Sequence, residues 1–343
     1  MAGLLGRRCR CKSWINCLCG VSSLSEKPLA VAVLGPTASG KSDLGMALAG
    51  ELATEIISVD SAAVFKGLDI GAAKPSAEAR AKVPHHLIDL CDPGSVYSVA
   101  DFIREATELV QKVVQRGRIP LFVGGTMLYF KALLEGLSDM PATDPLTRRQ
   151  IEAEARSEGW PAMHHKLMAI DPEYAVTLHP NHSQRIGRGL EVYRLSGKTM
   201  SALRKSKSPG LLNQFDWVQI ALIPQQRAWL HRRIEQRFEH MLAQGLVDEV
   251  RALHRRGDLH SGLPALRAAG YRQVWAYLNG ELSYPEMKQR GIEATRQLAK
   301  RQLTWLRSWP QVKALSPHDA EGKALDSSQI VNDALNFLPK RTI

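Results

Sequence analysis

Gly35, Gly40, Lys41 and Ser42 stand in the spacing Gly-x-x-x-x-Gly-Lys-Ser within "LGPTASGKSDLG". Those residue types in that order make a phosphate cradle. Glycines let backbone N–H groups converge on one point, and the start of a following helix adds positive potential. The lysine supplies a charge between phosphates, and the serine hydroxyl can ligate Mg2+. A common P-loop enzyme also needs an acid at the end of a buried strand to fix the metal. The run "IPLFV" ends instead in Gly124, Gly125 and Thr126, which leaves Asp89 and Asp92, after "HHLI", as alternatives. The best-placed carboxylate is Asp60, closing "TEIISVD". There it suits a base that activates a substrate, or an acid that binds a phosphoryl acceptor as in small-molecule kinases. These motifs do not by themselves separate a kinase from a transferase that displaces diphosphate.

The elements that must position these residues follow from periodicity. "PLAVAVLG" is a short apolar run and "KSDLGMALAGEL" has helical spacing, so the Gly-rich loop joins a strand to a helix. Further strands are expected at "TEIISVDS", at "HHLIDL" ending near Asp89, at "RIPLFVGGT" and at "FDWVQIALIP". A helix is expected over "YSVADFIREATELVQKVVQRG", opened by Ser98-x-x-Asp101 and closed at Gly117. Strands alternating with helices imply a parallel sheet with ligands beyond the carboxyl ends of its strands, where Gly35, Asp60 and Gly124–Thr126 fall. From about Met140 the strand signal stops, and short helices broken by Gly, Pro and Asp-Pro read as a helical insertion. The last long helix, from about Tyr284 to Leu306, carries Ile292, Thr295, Ala299 and Leu306 on a buried stripe, with Arg296, Lys300 and Arg307 on a neighbouring face. The fold class is therefore α/β: a P-loop NTPase-like core with a parallel sheet flanked by helices, plus an inserted all-helical domain. The units are a tail over 1–27, core over 28–140, insertion over 141–210, core completion with basic helices over 211–315, and a tail with a short helix over 316–343.

Composition narrows the class. Of 343 residues, 45 Lys+Arg against 34 Asp+Glu leave a formal charge of +11, an excess that favours polyanionic partners. No run of about 18 uncharged apolar residues reads as membrane-spanning. Four of the five cysteines, Cys9, Cys11, Cys17 and Cys19, lie near the start, so the body has no disulfide framework and suits a reducing cytoplasm. The segment before Lys27 reads as a disordered tail, with the true start near Val21.

The wording of the blocks goes further. "GPTASGKS", "ISVDSA", "GLDIGAAKP", "PHHLIDLCDP", "PLFVGGTMLYFKALLEGL", "QRIGRGLEVYRLSGKT", "IEQRFEHMLAQGLVDEV", "AGYRQVWAYL" and "ATRQLAKRQLTWLR" together resemble the bacterial tRNA dimethylallyltransferases, from about Pro28 to Pro310. The resemblance implies transfer of a dimethylallyl group from dimethylallyl diphosphate to N6 of adenosine 37, immediately 3′ of the tRNA anticodon, with release of diphosphate and help from Mg2+. It implies that Gly35, Pro36, Thr37, Ala38, Ser39, Gly40, Lys41 and Ser42 hold the diphosphate, with Ser42 also on the metal and Arg233 and Arg237 adding charge. Asp60 takes the N6 proton and Thr126 steadies the diphosphate. On the tRNA side it implies Asp60, Ser61, Ala62, Ala63, Thr126, Arg148, Gln184, Arg185, Ile186, Gly187 and Arg188. It adds Arg267, Ala268, Ala269, Gly270, Tyr271 and Arg272, and the run Lys300, Arg301, Gln302, Leu303, Thr304, Trp305, Leu306 and Arg307. The partners expected are the tRNA anticodon arm and dimethylallyl diphosphate, with no membrane and no obligate protein partner.

Ala72, Ala63, Val64, Phe65, Ala268 and Ala269 depart from the family's usual residues, which bears on packing beside the acceptor adenine. Three rivals remain: a small-molecule or nucleotide kinase, a non-catalytic RNA-binding ATPase, and an adenylate isopentenyltransferase acting on free nucleotide.

Overall fold

The structure, a computed structural model, describes residues 27–339. The expectations about the N-terminal tail and its four cysteines lie outside the described residues. Six strands form one sheet: β1 (Leu29–Leu34), β2 (Ile56–Val59), β3 (His85–His86), β4 (Leu121–Gly124), β5 (Asp216–Leu222) and β6 (Lys313–Leu315). Their order is β3-β2-β4-β1-β5-β6, and every pairing is parallel.

The central strand β1 is buried along its whole length, which is why "LAVAVL" is apolar without alternation. Successive side chains serve opposite layers. Ala30, Ala32 and Leu34 pack with Phe102, Phe122 and Phe130, whereas Leu29, Val31 and Val33 pack with Leu44, Leu48 and Ala334. The helices behind these layers are α1 (Lys41–Glu51), α3 (Val99–Gln115) and α4 (Met127–Glu135), while α2 (Ala77–Lys82) buries none of its residues. Helix α3 begins where expected: Ser98 Oγ accepts from Asp101 N at 3.2 Å and Asp101 Oδ2 accepts from Ser98 N at 3.0 Å, a reciprocal cap. Its stripe of Phe102, Ala106, Val110 and Val113 is buried.

Between β4 and β5 come α5 (Pro145–Glu158), α6 (Trp160–Ile170), α7 (Pro172–Ala175), α8 (Ser183–Ser196) and α9 (Met200–Lys205). They enclose a core of their own around Ile151, Met163, Leu167, Ile186 and Leu190. After β5, helices α10 (Arg227–Ala243), α11 (Leu246–His254), α12 (Tyr271–Leu278) and α13 (Tyr284–Arg307) build another core around Phe238, Leu246, Tyr271 and Ile292. Gly291 of α13 lies against Phe238 of α10, where a Cβ would fall 2.2 Å from the ring. Helix α14 (Ser327–Leu335) closes the chain, its Ala334 buried in the same layer as α1.

Two elements differ from the sequence expectation. The strand expected to run to Asp89 pairs only at His85–His86, because Leu87 (φ 61°) and Asp89 (φ 58°) turn into the left-handed region and leave the sheet. Strand β6, mostly exposed, had no apolar run to announce it. On α13, Arg296 does not share a free basic face with Lys300 and Arg307, since it donates to Glu235 of α10 at 2.9 Å. Thr295, expected to be buried, is half-buried and lines the cavity described below.

Candidate active site

Strand register assembles the site. Leu34 of β1 and Val59 of β2 both pair with Gly124 of β4, so three strands end level. The residues that follow, Gly35, Asp60 and Gly125–Thr126, emerge side by side. Gly124 permits this, because a Cβ there would fall 2.1 Å from the Val59 carbonyl oxygen. These loops open into a cavity of about 940 Å3, roofed by α10 and α13 and by Arg267–Gly270 and Arg272, before and at the start of α12.

The Gly-rich loop forms as its sequence requires. Gly40 takes φ 95° at the start of α1, a left-handed turn that glycine adopts without strain. Lys41 Nζ donates to Pro36 O at 3.3 Å, folded back over the loop where a phosphate would sit. Burial, then the neighbouring Arg237 guanidinium, lowers the Lys41 pKa to about 8, with the Asp60 carboxylate opposing them. Burial likewise lowers the Arg237 pKa, again opposed by Asp60. Two cations and one carboxylate thus line the same cavity, a balance that favours an anionic ligand. Arg233 acts differently: its Nε donates to Ala38 O at 3.0 Å and its guanidinium lies over the Trp229 ring, so it braces the loop from behind.

Asp60 Oδ1 accepts from the N–H groups of Ala62, 2.8 Å away, and Ala63, 3.4 Å away. That turn fixes the carboxylate at the cavity through Oδ1 alone. Thr126 Oγ1 accepts from Ser61 N at 3.1 Å, tying the loop after β4 to the loop after β2. Ser42 and Asp43 are exposed at the mouth. Among the described residues no three His, Cys, Asp or Glu side chains cluster as a metal cage. Asp89 and Asp92, the alternative metal-fixing acids, are committed elsewhere: Asp89 binds Lys74 at 2.5 Å and Arg80 at 2.7 Å, and Asp92 binds Arg256 at 2.8 Å. Burial would raise the Asp89 pKa, but those cations hold it below the usual range.

Of the residues singled out in the sequence, Thr37, Lys41, Ser42, Asp60–Ala63, Thr126 and Arg237 meet in this cavity, with Arg267–Gly270, Arg272, Arg301, Gln302 and Trp305 around it. Lys300, Thr304 and Arg307 are exposed on α13, and Gln184 and Arg185 are exposed on α8. Others sit differently from that reading. Ile186 and Leu306 fill apolar cores, and Tyr271 is fully buried with its hydroxyl on Glu249 Oε1 at 2.6 Å, so none offers its side chain to RNA. Leu303 packs against the helical core and Gly187 lies beside Trp160. Arg188 and Arg148 pair with Glu191, which is 0% exposed, at 2.7 and 3.4 Å. Gln302 is turned inward, accepting from Thr37 N at 2.8 Å and donating to Gly125 O at 2.9 Å.

Two anchors escaped the sequence reading. Glu249 accepts the N–H groups of Asp69, Ile70 and Gly71 at 3.0, 2.6 and 3.2 Å, clamping the "GLDIGAAKP" loop. Lys74, its side chain 1% exposed, donates to Phe65 O at 2.7 Å as well as to Asp69 and Asp89. The acids of "LVDEV" were the one available signal, and their partner lies about 180 positions away.

The chain is similar to known proteins in the same sense. Residues 63–309 match the family model described as IPP transferase. A tRNA dimethylallyltransferase of Paraburkholderia phymatum is 53% identical over 311 residues, covering 90% of this chain and 98% of that one. A tRNA isopentenylpyrophosphate transferase of Bacillus halodurans superposes with a TM-score of 0.65 at 37% identity, over 91% of this chain and 95% of that one. A eukaryotic dimethylallyltransferase acting on tRNA gives 0.72 at 25% identity, over 92% and 81%. With the P-loop, Asp60 and Thr126 brought to one cavity by the register of three strands, the chain belongs to the IPP transferase family.

Proposed function

We propose that this protein transfers a dimethylallyl group from dimethylallyl diphosphate to N6 of adenosine 37 in tRNA, releasing diphosphate. The observation that carries the reading is Asp60, at the end of β2, lining the same cavity as the P-loop, Thr126, Lys41 and Arg237. The donor's diphosphate lies along Thr37–Ser42, where loop N–H groups and Lys41 offset the charge that grows as the allylic C–O bond breaks. Mg2+ would be held here by Ser42, which is exposed in the cavity, and would supply further charge neutralisation. As N6 forms its bond to the allylic carbon, its proton passes to Asp60, and the C–O electrons leave with diphosphate. Thr126, on the loop between β4 and α4, keeps the leaving group near that bond.

On the RNA side, Arg185, Arg267, Arg272, Lys300, Arg301 and Arg307 are exposed cations suited to phosphates of the anticodon arm. The adenosine leaves its stack to enter the cavity between the core and the roofing helices. Among the described residues no helix is long and apolar enough to cross a membrane. The cytoplasm, where tRNA is modified, is the expected location.

One assay tests the reading against its rivals. The protein is incubated with labelled dimethylallyl diphosphate, ATP, AMP and unmodified tRNA, and label is expected in tRNA alone. Label in AMP favours the free-nucleotide enzyme, and ATP hydrolysis without prenyl transfer refutes the proposal.

A further inference from the structure

We propose that Gln302 is a positioning residue that sets the spacing between the diphosphate cradle and the Thr126 loop. The inference rests on the diphosphate reading of the P-loop. Gln302 is 9% exposed and spends both ends of its amide: Oε1 accepts from Thr37 N at 2.8 Å, and Nε2 donates to Gly125 O at 2.9 Å. Thr37 and Gly125 lie just beyond the ends of β1 and β4, neighbours in the sheet with Leu34 opposite Gly124. Beyond those ends the ladder gives no further bond between the two strands, and the amide of Gln302 supplies the cross-brace. The approach is specific to these residue types, because a Cβ on Gly125 would fall 2.5 Å from Gln302 Nε2.

The brace comes from α13, whose preceding residue, Arg301, and whose Trp305 both line the cavity. Gln302 therefore connects the helix that carries part of the proposed RNA surface to the loop that carries the donor. Its amide is spent on Thr37 and Gly125, and it acts through them. At neutral pH the amide of glutamine both accepts from an N–H and donates to a carbonyl, whereas an ionised carboxylate of the same length only accepts.

The test uses the full-length protein, measuring inorganic pyrophosphate affinity with Mg2+, tRNA affinity, and kcat. Gln302→Leu removes both bonds. We expect pyrophosphate Kd to rise and kcat to fall roughly tenfold or more for these lost buried hydrogen bonds, while tRNA Kd stays within about twofold. Gln302→Glu keeps the shape and guards against a failure of the leucine variant to fold. Ionised, it accepts from Thr37 but cannot donate to Gly125. Its deficit against the wild type should shrink as pH falls and the carboxyl protonates, a recovery that a space-filling role does not give. Unchanged pyrophosphate affinity and kcat in both variants overturns the positioning role and leaves the diphosphate reading intact. Lost tRNA affinity with unchanged pyrophosphate affinity overturns it too, and returns Gln302 to the RNA surface. A wild type that does not bind pyrophosphate overturns both readings together.

Discussion

Asp60 does two things with one carboxylate. It accepts the Ala62 and Ala63 N–H groups through Oδ1, and in the proposed reaction it takes a proton. Asp60→Ala would confound these, because the turn between β2 and its following loop loses its anchor. Asp60→Asn keeps an acceptor oxygen for the turn and abolishes proton uptake. Single-turnover prenyl transfer in Asp60→Asn is expected to fall on the order of 10²–10⁴-fold, with tRNA affinity near wild type. Wild-type turnover in that variant rules out the base assignment. Legibility at this scale was uneven. The P-loop residues follow a spacing rule and could be read directly. Ile186, Tyr271 and Leu306 sit inside blocks that resemble RNA-contacting ones, and only burial separates a residue that shapes a surface from one that touches the ligand.

At the scale of elements, the far end of the sheet carries a buried acid that no motif announced. Glu55, with its side chain 4% exposed beside β2, binds His86 of β3 at 2.6 Å, Arg116 just after α3 at 3.0 Å, and Arg118 at 2.5 Å. Burial would raise the Glu55 pKa, but hydrogen bonds from His86 and Arg116 override it and hold the group below the usual carboxylate range. A carboxylate with a depressed folded pKa contributes stability fully present above its unfolded value of about 4.3 and lost as pH falls through the folded one. Glu55→Gln should therefore destabilise the protein by about 2 kcal/mol at pH 7, at the low end for a buried acid because Arg116 and Arg118 remain open to solvent. The gap should close below about pH 4 in denaturant titrations. A gap independent of pH contradicts the ion-pair account. The same stretch, "TEIISV", announced its strand by apolar pattern, whereas Glu55 needed three partners from two other segments.

At the scale of the whole molecule, the positive charge divides into cations that hold the fold and cations that remain for a polyanion. Arg188 belongs to the first group, since it offsets Glu191 inside the helical insertion and donates to Pro141 O. Arg185, three residues earlier on the same helix, is exposed. Arg188→Ala is expected to cost roughly 2–4 kcal/mol of stability by leaving a buried acid short of a partner. Arg185→Ala should leave stability within about 0.5 kcal/mol, while weakening tRNA binding and reducing its salt slope by about one. Thermal melts and salt titrations of tRNA affinity on the two variants separate these outcomes, and equal stability losses refute the division.

The sequence by itself determined the parallel α/β core, the phosphate loop between a strand and a helix, and the family, because apolar periodicity and loop chemistry are local and the distinctive blocks lie in order along the chain. Only the tertiary structure decided which residues share the site. Leu34, Val59 and Gly124 end level through strand register, and Gln302 reaches Thr37 across 265 positions. Glu249 clamps the loop beside the cavity from 179 positions away. Such pairings depend on burial and on hydrogen-bond geometry between segments far apart in sequence, and no local pattern encodes them.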